Sequence, residues 1–100
     1  MKEFVDTAII AEIWSIIEER AKKPSQESYT SRLLTDEKGI DKVLEKVGEE
    51  SIEFVIAAKN ELNDRTVAEA SDLIFHLLVA LRASDIDLSD VMHELERRRK

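Results

Sequence analysis

The chain has 100 residues, 43% of them hydrophobic and 37% charged, with no cysteine and a formal net charge of −7 at pH 7. Such a length suits a single domain over residues 1–100, and the lack of cysteine excludes disulfides and thiolate metal sites. The acidic balance argues against a nucleic acid or an anionic membrane surface as partner, and no stretch approaches the roughly 18 uncharged apolar residues that mark a membrane span.

The start, Met1-Lys2-Glu3, carries acids into its first apolar stretch, unlike a secretory signal, so a soluble cytoplasmic protein is expected. Strand signals are nearly absent, while helical periodicity recurs five times, which predicts an all-α helical bundle of four to five helices. The first helix is expected over residues 5–22, with Ile9, Ile13, Ile16 and Ile17 on one side. Pro24 ends it, because proline has no amide donor and restricts the residue before it. Residues 24–28 read as a polar loop, and Tyr29–Leu34 as a short helical turn with Leu33 and Leu34 turned inward. Gly39 permits the turn into a third helix over residues 40–60. In that helix Ile40, Val43, Leu44, Val47, Ser51, Phe54, Val55 and Ala58 form the expected buried stripe. Gly48 within it costs about 1 kcal/mol relative to alanine and suggests a close approach by a neighbouring helix or ligand. Asn63 or Asp64 is the expected cap of the fourth helix, which runs to about residue 83. The last helix begins at Asp87, where Asp87-Leu88-Ser89-Asp90 resembles a capping box and Ile86 and Val91 can form a hydrophobic staple. Residues 94–100 are a solvated charged end.

The fourth helix carries the strongest signal. Val67, Ala68, Ala70, Leu73, Ile74, Phe75, Leu77, Leu78, Val79, Ala80 and Leu81 point in nearly every direction around its axis, as in a helix covered on most sides. Glu69, Asp72 and His76 interrupt this surface at i, i+3, i+7 spacing and fall within about 60° of each other. Carboxylates beside buried apolar surface are costly unless a cation or strong donors neutralise them. One helix earlier, Lys46, Glu50, Glu53 and Ala57 form a second strip flanked by apolar residues on both sides. An i, i+3 acidic pair alone is ordinary on a solvated helix. Two such strips facing each other would instead build a carboxylate cage suited to a hard cation such as Mg²⁺, with positions left for water and phosphate. Lys46, Lys59 and Arg65 are the nearest basic groups in sequence. No glycine-rich phosphate loop is present, so phosphate would be held through metal. Two helices with apolar residues all round are best buried by association, so a homodimer or higher homo-oligomer is expected.

These residues resemble a known family. Lys46-Val47-Gly48-Glu49-Glu50-Ser51-Ile52-Glu53, Ala57-Ala58-Lys59 and the run from Glu69 through Asp72-Leu73-Ile74-Phe75-His76 to Val79 are similar to phosphoribosyl-ATP pyrophosphatases. That family belongs to the all-α, MazG-like nucleotide pyrophosphatases, and Ser28-Tyr29-Thr30 followed by Leu33-Leu34 also fits its pattern. The resemblance implies Mg²⁺-dependent hydrolysis of 1-(5-phosphoribosyl)-ATP to phosphoribosyl-AMP and pyrophosphate, the second step of histidine biosynthesis. It implies metal ligation by Glu50, Glu53, Glu69 and Asp72, a catalytic role for Glu50 and Glu53, and an assisting one for Glu49. Lys46, Lys59, Ser28, Tyr29, Thr30 and His76 would line the substrate. Phe75 stands where tyrosine is frequent, and Ser51 and Ser71 replace common alanines. Some relatives fuse this domain to a zinc cyclohydrolase, and a chain of this length without cysteine is expected to be the stand-alone form. Two alternatives share these residues: a housecleaning pyrophosphatase for ordinary or damaged nucleoside triphosphates, and a non-catalytic helical dimerisation module whose acids form ion pairs.

Overall fold

The helices are α1 (Ala8–Lys22), α2 (Tyr29–Leu34), α3 (Ile40–Lys59), α4 (Asn63–Ala83) and α5 (Leu88–Arg98). They come from a computed structural model that describes residues 4–99; residues 1–3 of the expected domain and Lys100 of the charged end lie outside the described residues. No strand occurs among the described residues, and the all-α expectation holds.

Local signals account for most boundaries. α1 begins at Ala8, three residues later than expected, where the Asp6 carboxylate accepts from the Ala8 amide at 2.9 Å. Ser28 caps α2 by accepting from the Ser31 amide at 3.1 Å, and the fully buried Ser31 hydroxyl donates to the Arg20 carbonyl at 2.9 Å, tying α2 to α1. Gly39 takes φ 62° ahead of α3, a left-handed conformation that suits a residue without a side chain. The α3–α4 turn passes through Glu61 at φ 56°, and α4 starts at once, with Leu62 in the cap position. Asn63 and Asp64 therefore lie inside the first turn rather than capping it. Asp87 caps α5 as expected, accepting from the Ser89 amide at 2.9 Å.

α3 and α4 are antiparallel neighbours and make the most extensive contact in the chain, with α1 and α2 packed across one end. The core joins Ile17, Leu33, Val43, Leu78, Val79 and Leu88. On α3 the buried residues are Val43, Glu50 and Ala57, a heptad-spaced line. The stripe expected to be buried there is largely open: Val43 is covered, but Ile40, Leu44, Val55 and Ala58 are exposed. The physical reason is that α4 packs against the acid-bearing side of α3, leaving the more apolar side uncovered within one chain. Val67, Ile74 and Leu77 of α4 are exposed as well, so α4 is not enclosed by its own chain. Gly48 has open space around it: a Cβ there would meet nothing within 4 Å, so no helix approaches closely.

Candidate active site

The antiparallel packing of α3 on α4 brings the two acidic strips face to face. One carboxylate oxygen each of Glu50, Glu69 and Asp72 lies within 4.8 Å of the others. Glu50 and Glu69 retain only 8% and 9% of their exposure, little enough that water cannot fully solvate both charges. Oε2 of each is buried without a hydrogen-bond partner. Burial, followed by contact with Glu53 and Glu50, pushes the Glu69 carboxyl up to about 7. Burial also raises Glu50, helped by the charges of Glu53 and Asp72. Glu53 is itself exposed and stands at the open edge of the cluster, close enough to act on both. Two orphaned buried carboxylate oxygens among crowded acids are what a bound cation relieves, and an all-oxygen donor set suits a hard divalent ion.

The remaining candidates divide between the rim and the outside. Lys46, half-buried, pairs with Glu49 at 3.3 Å, and that contact raises its ammonium pKa. Glu49 is exposed, on the rim rather than inside the cluster. Lys59 is exposed at the far end of α3. Thr30 is buried, and the Ser28 hydroxyl is committed to its capping bond.

Tyr29 and His76 are joined directly: the Tyr29 hydroxyl lies 2.8 Å from His76 Nε2, and His76 Nδ1 lies 2.8 Å from the Asp72 carbonyl oxygen. Phe75 completes an aromatic group, near-parallel to Tyr29 with centroids 6.2 Å apart and edge-on to His76 at 5.2 Å. Phe75 reads from sequence as plain packing. Its place beside the site depends on α2 folding back over α4, which no local spacing encodes.

Fold and site together define a class: an all-helical domain that gathers the acids of two antiparallel helices into a half-buried cluster fit for a hard cation. Within it, the chain belongs to the phosphoribosyl-ATP pyrophosphohydrolase family, whose model matches residues 10–99. It is 66% identical to a phosphoribosyl-ATP pyrophosphatase of Methanoregula boonei, across 99% of this chain and 95% of that protein. With the phosphoribosyl-ATP pyrophosphatase of Methanoculleus marisnigri the identity is 60%, across 95% and 98%. With that of Methanosarcina barkeri it is 45%, across 93% and 89%.

Proposed function

We propose that this chain hydrolyses 1-(5-phosphoribosyl)-ATP to 1-(5-phosphoribosyl)-AMP and pyrophosphate, the second step of histidine biosynthesis, in the cytoplasm. The observation that carries this reading is the convergence of Glu50, Glu69 and Asp72, two with an orphaned buried oxygen, in a chain of this family. Glu50, Glu53, Glu69 and Asp72 are assigned to Mg²⁺, which when bound would neutralise phosphate charge and acidify a coordinated water. Glu53, exposed beside Glu69, would hold the ion from the open edge of the cluster. Lys46 would hold a phosphate oxygen from the rim, kept charged and oriented by Glu49. Glu49 is the rim carboxylate free of the buried cluster and is assigned to orient water or accept its proton. Attack of water on phosphorus breaks one phosphoanhydride bond, and the proton passes to that base as pyrophosphate leaves. Ser28, Tyr29 and Thr30 at the start of α2 would form the substrate wall, and Lys59 an outlying phosphate contact.

A homodimer or larger homo-oligomer belongs to the same reading. The chain exposes 7739 Å², against roughly 5,800 Å² for a compact monomer of 11.5 kDa. Its radius of gyration of 14.9 Å likewise exceeds the ~13 Å of a compact 100-residue domain. Exposed Leu44, Ile52, Val55, Ile56 and Val67 account for much apolar surface that a second copy would cover.

The test is pyrophosphate release from phosphoribosyl-ATP, ATP and dUTP with and without Mg²⁺. Release from phosphoribosyl-ATP in preference to the others, and only with Mg²⁺, is expected. Faster release from the simple triphosphates would move the chain to the housecleaning pyrophosphatases. No release from any of them by folded protein would leave the dimerisation module.

A further inference from the structure

We propose that Tyr29 and His76 act as a positioning pair that fastens the α2 wall of the substrate pocket to the acid-bearing helix α4 by a hydrogen bond of fixed direction. The inference rests on the functional reading above for its consequence, but its geometry stands alone. The Asp72 carbonyl can only accept, so the proton of this pair sits on His76 Nδ1. In the neutral ring Nε2 is then bare and accepts from the Tyr29 hydroxyl, which spends its only proton there. His76 retains 6% of its exposure, so its polar atoms need partners from the protein, and both ring nitrogens have one. The partners lie 47 residues apart in sequence, so the bond is tertiary.

Three consequences follow for the site. His76 sits one helical turn beyond Asp72 and bonds to its backbone, so the anchor point belongs to the same turn that presents the carboxylate. The Tyr29 ring, half-exposed and stacked near Phe75, is held at a set height beside the acids. With its proton committed, the phenol oxygen meets its other surroundings as an acceptor. The pair thus shapes the pocket wall without a place in the cluster itself.

The first arm needs no substrate: ¹⁵N NMR of the wild-type ring should show His76 protonated on Nδ1 and bare on Nε2. In turnover, Tyr29→Phe should raise KM for phosphoribosyl-ATP roughly tenfold, the range of one lost hydrogen bond, with a much smaller change in kcat. His76→Leu should match it, and the double variant should be no worse than either, because both remove one interaction. His76→Gln, whose Oε1 can accept in place of Nε2, should recover most of the wild-type KM. An Nε2-protonated ring would overturn the proposal, as would a wild-type KM in Tyr29→Phe or multiplying losses in the double variant. Wild-type protein without turnover would sink the functional reading instead, and the tautomer arm would still decide the direction of the bond.

Discussion

Glu69 holds an uncomfortable charge: buried, with one oxygen unpartnered and its carboxyl pushed to about 7 by burial and by neighbouring acids. The direction of its pH dependence follows from linkage. A carboxyl raised in the folded state favours folding when protonated, so its stabilising effect is fully present below the ordinary value of 4.5 and is lost as pH rises through about 7. Without divalent metal, the thermal midpoint should therefore fall between pH 5 and pH 8, and Mg²⁺ should offset the fall by binding the ionised form. Glu69→Gln should flatten this dependence and raise the midpoint at pH 8, while lowering turnover by about a hundredfold or more. Thermal melts across that range, with and without Mg²⁺, check it; a midpoint equally steep in Glu69→Gln would assign the dependence to other groups. Glu50, Glu69 and Asp72 were legible in the sequence because acids on an apolar strip demand an explanation. The Tyr29–His76 bond was not, since a separation of 47 residues leaves no periodic trace. Gly48 misled in the other direction: its helical cost suggested a close contact that the open space around it does not contain.

At the scale of the helices, sequence spacing located all five elements, and the shifts at α1 and α4 go with Asp6 accepting from the Ala8 amide and with a left-handed Glu61. What spacing could not supply was which side of α3 faces inward. The most apolar side reads as the buried one, yet within one chain the buried line is Val43, Glu50 and Ala57. α3 and α4 meet through their acidic strips, and the apolar side is left for another surface. Leu44 and Val55, 48% and 61% exposed, lie close together in angle on that side and give the sharpest test. Light scattering at micromolar concentration should return at least twice the 11.5 kDa chain mass for the wild type. The Leu44→Glu/Val55→Glu variant should shift toward the single-chain mass with its helicity retained. A wild-type monomer would show that the open side is not a self-interface.

Taken as a whole molecule, the chain combines a net charge of −7 with a site proposed for an anionic substrate, a tension that a bound cation would reconcile. Composition conveyed that tension, and the helix pairing places the most crowded acids where a cation would relieve it. The proposed preference for a phosphoribosylated nucleotide over a plain triphosphate was legible only through family resemblance, because contacts to base and sugar follow no spacing rule. The most direct measurement is calorimetric titration of Mg²⁺ into the substrate-free protein near pH 7, in two buffers of different ionisation enthalpy. Saturable binding is expected with a dissociation constant on the order of millimolar or tighter, accompanied by proton release from the Glu69 carboxyl, and loss of both in Asp72→Asn. Absence of binding in the wild type, or unchanged binding in Asp72→Asn, would contradict it.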